Sequence, residues 1–462
     1  MGVSTNPFSN LVVFEIANNH QGDINHGKKL IDSLVPSSGH FRHVVKFQFR
    51  DLDHFIRPGH ESKHTKRFFE TRLSWDAYYE LIRHAKSRGF ITMVTPFDEV
   101  SVQRMNAAPV DFCKIASCSN MDWLLLNAVA AQHRPIIAST GGMSLSEMDS
   151  LVSFLSHRGK DYALNHCVAT YPHTPELSGL GMITAMRKRF QCVIGWSGHE
   201  TPENTTTGQI AYALGARMFE THVALPTQQY PKNAYSRSPD ELAAWLKALG
   251  SAAEICQLPS NRIEERRQLI ELMRGRWTDD KGNVVYQMPF NHGAECVDAP
   301  SPIKQGIHTI KALLNEAGVI LPPAFEAEYS HHFGAKDFLS VGTTMITIVN
   351  REYAKKILVM LPKQWHPKHY HKRKEETFHI IHGDLTVWLD DREFCYVAGQ
   401  TVLVQPGVWH SFTSRTGCVF EEISTTAYQD DSVYADGRIT SNKNRKTKTS
   451  NWGRWEIDQC KS

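Results

Sequence analysis

The chain has 462 residues, of which 41% are hydrophobic and 21% are charged, enough apolar material for two globular domains. Its 51 Lys and Arg residues barely exceed its 48 Asp and Glu residues, which argues against a generic nucleic-acid or membrane-surface binder. The nine cysteines form no CxxC pair, and neither a membrane span nor a signal peptide is recognisable. These features predict a cytoplasmic protein without a disulfide framework.

From residue 11 to about 225, short apolar runs end in polar residues and are followed by segments with helical periodicity. The predicted strands are Leu11–Glu15, Val44–Gln48, Ile91–Thr95, Phe112–Lys114, Pro135–Thr140, Ala163–Cys167, Val193–Ser197 and Met218–His222. Eight such units predict an α/β fold, a (β/α)8 TIM barrel. In this fold, the chemistry takes place where the carboxyl ends of the strands meet.

The predicted rim of the barrel combines lysines, hydroxyl residues and histidines. Its members are Glu15, Lys46, Gln48, Thr95, Lys114, Ser139, Thr140, His166, Ser197, His199 and His222. Because a buried Lys is costly without an anion, two of them predict a phosphate or carboxylate ligand. Schiff-base chemistry and a salt bridge to a rim carboxylate are the alternatives for a Lys there. His199 and His222 end adjacent strands and could share a divalent cation.

These segments together resemble the N-acetylneuraminate (sialic acid) synthase family. The resemblance rests on eight motifs whose order and spacing match over residues 11–250. They are EIANNHQG (15–22), KFQ (46–48), TPFD (95–98), KIAS (114–117), STGG (139–142), HCVATYP (166–172), GWSGHE (195–200) and FETHVAL (219–225).

The resemblance implies that phosphoenolpyruvate condenses with an aldose to give a sialic-acid-like 3-deoxy-2-keto sugar acid and phosphate. The implied catalytic residues are Glu15, Lys46, Lys114 and His222. The implied substrate-binding residues are Gln48, Thr95, Ser139, Thr140, Tyr171 and Ser197. His199 and His222 would bind Mn2+ or Mg2+, which polarises the aldehyde, and Glu15 would be the acid/base residue near the sugar.

Two departures from the family pattern both fall on recognition of the acceptor sugar. After the last strand the chain reads QQYPKNAYSRSPDEL, with Lys232 and Asn233 in the region where an acidic Asp-His pair is expected. The antifreeze-like C-terminal domain of the family is not recognisable either. The acceptor therefore stays open between N-acetylmannosamine-like, mannose-like and related hexoses.

The second half of the chain changes to short alternating strands, which predict an antiparallel jelly roll. We assign residues 1–275 to the barrel and 276–330 to a connecting segment, with NRIEERRQLIELMRG as the exit helix of the barrel. Residues 331–440 form the predicted all-β cupin domain, and residues 441–462 a basic polar tail.

A two-part cupin signature lies in this domain, in HYHKRKEETFHIIHG and GQTVLVQPGVWH. It predicts that His369, His371, Glu376 and His410 hold a transition metal: Mn, Fe, Zn or Ni. The wider segment resembles cupins related to D-lyxose and mannose isomerases, which implies that the domain binds or isomerises a free sugar. Glu421 and Glu422 lie on a predicted strand, where one of them could face inward as an acid/base group. The cupin is therefore a candidate sugar isomerase, a sugar sensor or a folding and dimerising module. We expect a homodimer.

Overall fold

The computed structural model describes residues 6–35, 39–257, 302–428, 430–450 and 452. The chain divides into two compact units, residues 1–261 and 262–462. The predicted exit helix at 261–275 and residues 276–301 of the predicted connecting segment lie outside the described residues.

The first unit contains a closed parallel barrel of eight strands, which confirms the predicted (β/α)8 fold. The strands pair in chain order, and β1 closes the barrel against β8. They are β1 (Leu11–Glu15), β2 (Arg42–Phe49), β3 (Ile91–Pro96), β4 (Phe112–Ile115), β5 (Ile136–Ser139), β6 (Tyr162–Cys167), β7 (Ile194–Ser197) and β8 (Met218–Val223). A two-residue strand, β9 (Ser236–Arg237), extends the sheet beside β8.

Helices follow the strands and cover the outside of the barrel. They are α1 (Ile24–Asp32), α2 (Leu52–Phe55), α3 (Lys63–Glu70), α4 (Trp75–Ser87), α5 (Glu99–Met105), α6 (Trp123–Ala131), α7 (Leu145–His157), α8 (Gly181–Arg189), α9 (Thr206–Ala213) and α10 (Pro239–Ile255). Many begin at a side-chain cap, such as Asp23 before α1 and the capping box of Ser144 and Glu147 at α7. In the described ranges, no helix is long and apolar enough to cross a membrane.

The inward-facing side chains of the barrel change from apolar to polar along the strand axis. At the amino ends of the strands they form a small apolar cluster, which includes Leu11, Val13, Val44 and Phe112. Because side chains alternate between the two faces of a strand, the next inward positions on these strands are polar. On β1 this position is Glu15, and all of this polar layer lies toward the carboxyl ends of the strands. The apolar floor supports the polar layer, as expected of a barrel with its site at that end.

The second unit is an antiparallel β structure, which confirms the predicted cupin domain. Its strands are β10 (Glu326–Ser330), β11 (Thr343–Asn350), β12 (Tyr353–Met360), β13 (Trp365–His371), β14 (Glu376–Leu389), β15 (Arg392–Val397), β16 (Thr401–Val404), β17 (His410–Thr413), β18 (Cys418–Thr425), β19 (Ser432–Tyr434) and β20 (Lys446–Ser450). Its helices are α11 (Pro302–Glu316) and α12 (Gly437–Ser441).

The long strand β14 belongs to both halves of the cupin sheet. Its first half pairs with β16 and β18, and its second half pairs with β15 and β17. A register shift between Ile380 and His382 lies between the two halves. On this side of the sheet β17 pairs with β14 and β13 pairs with β17, so that residues far apart in the sequence share one interior.

The sheet of the second unit extends beyond the segment predicted for it, residues 331–440. At its start, β10 precedes residue 331 and pairs with β11. At its end, β20 lies within the predicted tail and pairs with β10 as an edge strand. The ion pairs Lys446–Glu328 and Lys448–Glu326, each at 2.7 Å, connect these two strands. The sequence KTKTS has no apolar alternation, and these cross-strand pairs explain why it still forms a strand.

Candidate functional site

Four buried charges form a network in the polar layer of the barrel. Lys46 Nζ lies 2.8 Å from Glu15 Oε2 and 2.6 Å from Glu220 Oε1. Lys114 Nζ lies 3.7 Å from Glu220 Oε2 and donates to Ser139 Oγ. All four charged side chains are less than 6% exposed. The network therefore joins β1, β2, β4 and β8 across the barrel, and its two positive and two negative charges balance.

Glu220 is the functional candidate that the sequence analysis did not name as a site residue. Its Oε1 also accepts a hydrogen bond from Ser197 Oγ at 3.0 Å, so one carboxylate contacts both lysines and the hydroxyl of β7. The motif FETHVAL indicates this position, because a spacing of two residues puts Glu220 on the same face of β8 as the predicted ligand His222.

The same network affects the two lysines differently. Burial opposes the charge of Lys46, but Glu15 and Glu220 outweigh it and hold its pKa above the ordinary value. For Lys114, burial is the larger effect, and its pKa is lowered despite the attraction of Glu220. Burial also opposes ionisation of Glu220, yet Lys114 and Lys46 hold its pKa far below the ordinary value. Lys114, in contact with a single carboxylate, is thus the less compensated cation.

His199 and His222 lie side by side above this network, with ring centroids 5.3 Å apart. His199 Nδ1 donates to the carbonyl oxygen of Val168 at 3.0 Å, which leaves its Nε2 with a free lone pair. His222 Nδ1 is buried and has no hydrogen-bond partner among the described residues. Burial, followed by the neighbouring His222, lowers the pKa of His199 to about 3. Burial, followed by Lys46, lowers the pKa of His222 to about 3. Two neutral imidazoles with unused nitrogens fit a shared divalent cation.

Aromatic side chains form a wall beside the two histidines. The ring of Tyr171 lies 4.0 Å from that of His199, and the ring of Tyr235 lies 5.0 Å from that of His222. Tyr171 is 51% exposed, so it lies at the open side of the site. The predicted residue Tyr171 is therefore beside the histidines, and Tyr235 joins it from the loop after β8.

The other predicted substrate-binding residues end neighbouring strands. Gln48 Nε2 donates to Glu15 Oε2 at 3.1 Å, and the buried Thr95 Oγ1 lacks a hydrogen-bond partner among the described residues. Thr140 Oγ1 instead donates to the carbonyl oxygen of Asn165 at 3.2 Å. The hydrogen of this hydroxyl is therefore already used in a bond within the barrel wall. A Cβ at Gly141 would lie 2.6 Å from Ser117 Oγ, so this close approach requires glycine.

His166 does not join the rim, and the prediction that placed it there is wrong. Its Nε2 lies 2.8 Å from the carbonyl oxygen of Ser178, and its ring packs on Trp196 at 5.3 Å. Trp196 belongs to the core between barrel and helices. Because strand side chains alternate, His166 faces that layer while its neighbour Cys167 faces the interior.

The cupin unit brings its four predicted ligands together. Donor atoms of His369, His371 and His410 lie within 4.8 Å of one another, and all three side chains are buried. Glu376 Oε1 lies 3.3 Å from His371 Nε2, and Glu376 Oε2 lies 3.4 Å from His410 Nε2. One carboxylate and three imidazoles thus converge from β13, β14 and β17.

Hydrogen bonds to the outer ring nitrogens orient these imidazoles. The Nδ1 atoms of His369 and His410 donate to the carbonyl oxygens of Pro367 and Val408 at 3.0 and 3.1 Å. His371 Nδ1 lies 3.3 Å from Ser432 Oγ. Each Nε2 therefore has a lone pair available for a metal ion. His410 Nε2 and Glu376 Oε2 are buried without hydrogen-bond partners among the described residues, and the donor set fits a transition metal.

A second buried ionic network lies next to Glu376. Lys374 Nζ contacts Glu376 and lies 3.0 Å from Glu422 Oε1, which Lys356 Nζ also approaches at 2.8 Å. Glu422 is therefore the inward-facing member of the Glu421–Glu422 pair, whereas Glu421 pairs with Lys355 at 2.7 Å and is more exposed. A polar cavity of about 580 Å³ opens from the His369 and His371 side chains and includes this network in its wall.

Two family models match the chain, one in each unit. The NeuB family matches residues 40–257, and the cupin domain matches residues 356–421. A crystal structure of spore coat polysaccharide biosynthesis protein E from Chromobacterium violaceum is 39% identical, with a TM-score of 0.54, and the match covers 57% of this chain and 81% of that one. The chain belongs to the NeuB family.

Curated NeuB relatives carry the names of several synthases. The N-acetylneuraminate-9-phosphate synthase of Drosophila melanogaster is 33% identical over 254 residues, 52% of this chain and 66% of that protein. The N,N'-diacetyllegionaminic acid synthase of Campylobacter jejuni is 28% identical over 248 residues, 50% of this chain and 73% of that protein. The predicted family resemblance is thereby confirmed for the barrel, and the cupin family is confirmed for the second unit.

Proposed function

We propose that the barrel condenses phosphoenolpyruvate with the aldehyde of an aldose and releases phosphate, giving a 3-deoxy-2-keto sugar acid of the nonulosonic type. The observation that carries this proposal is the buried network of Lys46, Lys114, Glu15 and Glu220 directly beside two neutral histidines. The names of the NeuB relatives support the same reaction class.

Phosphoenolpyruvate would replace the carboxylates of Glu15 and Glu220 as the partner of the two lysines. Lys46 and Lys114 are already balanced by Glu15 and Glu220, so a ligand with a phosphate and a carboxylate adds negative charge. It is accommodated when the ammonium groups turn from their carboxylate partners toward the ligand, helped by the hydroxyls of Thr95, Ser139 and Ser197. Thr95 Oγ1, which has no hydrogen-bond partner within the described ranges, is one donor already free for that purpose.

His222 Nδ1, which lacks a hydrogen-bond partner in the part of the chain that the structure describes, and His199 Nε2 fit a divalent cation, Mn2+ or Mg2+. When bound, such an ion supplies Lewis-acid polarisation of the acceptor aldehyde. The residues of the chain bind and orient the two substrates. The tyrosine wall of Tyr171 and Tyr235 orients the sugar beside the histidines, and the buried network holds phosphoenolpyruvate below it.

The bond changes of the proposed reaction balance without any other reactant than water. Carbon 3 of phosphoenolpyruvate forms the new carbon–carbon bond with the aldehyde carbon, whose oxygen takes a proton and becomes a hydroxyl. Water adds to carbon 2, and the C–O bond to phosphate then breaks to leave the keto group. We assign the proton exchange at the new hydroxyl to Glu15, a proposal that its contacts with Lys46 and Gln48 support.

Phosphate release with manganese, across a panel of aldoses, tests this proposal. The panel contains mannose, N-acetylmannosamine, their 6-phosphates, 2,4-diacetamido-6-deoxyhexoses and arabinose 5-phosphate. We expect release with one class of sugar, and its loss in His222→Ala and in Lys114→Ala. His157→Ala, a change of an exposed histidine at the end of α7, is the matched control and should retain activity. Absence of release with every sugar would overturn the proposal.

The cupin supports a second candidate function, aldose–ketose isomerisation of a free sugar. Its metal-ligand set opens into a polar cavity that also contains Lys374 and Glu422, a buried acid/base pair. Isomerisation moves one proton from carbon 2 to carbon 1 and the hydroxyl proton of carbon 2 to the oxygen on carbon 1. We assign the transfer between the carbons to Glu422, which lines the cavity.

Deuterium incorporation from D2O into sugars, without phosphoenolpyruvate, tests the cupin separately. We expect incorporation by the metal-loaded protein that is lost in His371→Ala. The control His379→Ala changes a half-exposed histidine of β14 that pairs with Glu421, and it should retain incorporation. If no sugar exchanges hydrogen, the isomerase function is ruled out while the barrel proposal is unaffected.

A further inference from the structure

The two histidines of the proposed cation site belong to different segments of the barrel. His222 lies on β8, whereas His199 lies just after the end of β7, in the loop that leads to α9. A backbone hydrogen bond from Gly198 N to the carbonyl oxygen of Glu220, at 3.0 Å, joins the two strands directly before His199. The position of His199 relative to His222 therefore depends on how the loop of residues 198–205 is held.

The side chain of Arg237, on the short strand β9, holds this loop. Its Nη1 donates to the carbonyl oxygen of Pro202, and its Nη2 donates to that of Asn204 at 2.9 Å. Nη2 also lies 3.5 Å from Oε1 of Glu200, the residue next to His199 in the sequence. One guanidinium thus contacts the loop at three positions that follow His199.

The same guanidinium is connected to the strand that carries His222. Arg237 Nε donates to Thr221 Oγ1 at 3.1 Å. Because side chains alternate along a strand, Thr221 faces the outside of the barrel while its neighbour His222 faces the inside. The backbone of β9 also pairs in parallel with that of β8, with Ser236 opposite His222. Arg237 therefore links the loop of one histidine to the strand of the other.

This link is buried behind the barrel wall. Arg237 and Glu200 are 2% and 3% exposed, and Glu200 Oε1 also accepts a hydrogen bond from Thr207 Oγ1 of α9 at 2.5 Å. The Arg237 guanidinium lies 5.3 Å from the ring centroid of Trp245 in α10. Water does not compete for hydrogen bonds in such a place, so they hold the loop firmly. Each of the three guanidinium nitrogens already donates to a group of the chain, so Arg237 acts on the site through the loop.

We propose that Arg237 is a positioning residue, which fixes the separation of His199 and His222 and so sets their affinity for a divalent cation. This inference rests on the cation site of the proposed function. A cation that two imidazoles share is bound more tightly when both rings are held in place before the ion arrives. An arginine suits this role because its planar fork reaches separate acceptors at fixed angles, which a single ammonium nitrogen cannot do.

Arg237→Lys tests the inference, because it keeps a positive charge beside Glu200 but loses the fork. Binding of Mn2+ to the full chain is followed by electron paramagnetic resonance, in a His371→Ala background that breaks the ligand set of the cupin. We expect the affinity of the barrel for Mn2+ to fall about 10- to 100-fold. Loss of the bound signal in His222→Ala, in the same background, identifies it as that of the barrel site.

Arg134→Lys is the matched control. Arg134 also donates to backbone carbonyl oxygens of a loop, those of Val110 at 2.8 Å and Ala108 at 3.5 Å. This loop precedes β4, at the amino ends of the strands and away from the histidines. The control loses the same fork, and its affinity for Mn2+ should be unchanged. An unchanged affinity in Arg237→Lys, or an equal fall in Arg134→Lys, would overturn the inference.

Kinetics provide a second readout, which a mere loss of folded protein would not give. In Arg237→Lys, the Mn2+ concentration for half-maximal phosphate release should rise by the same factor as the dissociation constant. Saturating Mn2+ should then restore most of kcat, and the KM for phosphoenolpyruvate should be unchanged, because Lys46 and Lys114 are not altered. A low kcat that saturating Mn2+ does not restore would overturn the inference and leave Arg237 a structural role alone.

The binding measurement separates this inference from the proposed reaction. Mn2+ binding that depends on both His222 and Arg237, without phosphate release from any sugar, would uphold the positioning role and overturn the condensation. Phosphate release by a protein whose Mn2+ binding depends on neither residue would leave the condensation standing and remove the positioning role.

Discussion

The barrel and the cupin both bury charge, and they compensate it in opposite ways. In the barrel, Lys46 and Lys114 are balanced by Glu15 and Glu220, while the histidines lie beside this network as neutral groups. In the cupin, the carboxylate Glu376 lies among the histidines themselves, with Lys374 behind it. The barrel therefore compensates its buried charges by lysine–carboxylate pairs, whereas the cupin places its buried carboxylate between imidazoles and a lysine.

This difference predicts which kind of substitution each unit tolerates. A barrel organised by balanced charge should be sensitive to loss of a lysine, because two carboxylates then remain buried. A cupin organised around imidazoles should be sensitive to loss of a histidine and of its metal.

Lys46→Met should have the largest effect. Glu15 and Glu220 lose their shared cation, so we expect the free energy of unfolding to fall by about 3–5 kcal/mol. Phosphate release should fall below about one thousandth of the wild-type rate, because phosphoenolpyruvate loses a positive contact. Urea unfolding monitored by tryptophan fluorescence and a phosphate assay measure the two effects.

Lys28→Met is the control for that experiment, since Lys28 pairs with Glu80 at the surface and should change stability little. Unchanged stability of Lys46→Met would show that the carboxylates do not need their lysine. Metal content of the cupin should be the same in both variants, because the substitution lies in the other unit.

His410→Ala should be the converse case. Loss of one of three imidazoles should lower the metal affinity of the cupin by more than about 100-fold, while phosphate release by the barrel stays at the wild-type level. Metal analysis after dialysis measures the content, and we expect one fewer equivalent per chain than in the wild type. Retention of the full content, or loss of the barrel activity with it, would contradict the separation of the two sites.

Much of this contrast is accessible from the sequence, because alternation on a strand links spacing to direction. The eight barrel strands and the four predicted cupin ligands, which the structure brings together, follow from local patterns such as KFQ and HYH. The ion-pair partners of these residues cannot be predicted from local patterns. Glu220 contacts Lys46 and Lys114 only because β8, β2 and β4 belong to one closed barrel. Likewise, β20 is stabilised by ion pairs to β10, more than a hundred residues earlier, and KTKTS alone contains no sign of them.

Ser432→Ala tests whether the outer hydrogen bonds of the cupin matter as much as its ligands. Ser432 Oγ lies 3.3 Å from His371 Nδ1, so its loss removes one contact that orients the imidazole. We expect a decrease of metal affinity of about 10-fold, smaller than that of His410→Ala, measured by competition with a chelator. Ser340→Ala, at an exposed hydroxyl of the same unit, should have no effect. Equal affinities of wild type and Ser432→Ala would show that Asp431, 3.6 Å from the same nitrogen, orients the ring alone.

Thr95→Val should have the smallest effect. It tests whether a single uncharged hydroxyl of the barrel contributes to the binding of phosphoenolpyruvate. The Thr95 hydroxyl is buried without a hydrogen-bond partner among the described residues, so replacing it by a methyl group removes nothing from the folded protein. Stability should therefore stay constant or rise slightly, whereas the KM for phosphoenolpyruvate should rise about 3-fold, since the ligand loses one hydrogen-bond donor. An unchanged KM would remove Thr95 from the binding site and leave the lysine network as the main recognition element. A raised KM at constant stability would show that the barrel keeps this hydroxyl for its ligand.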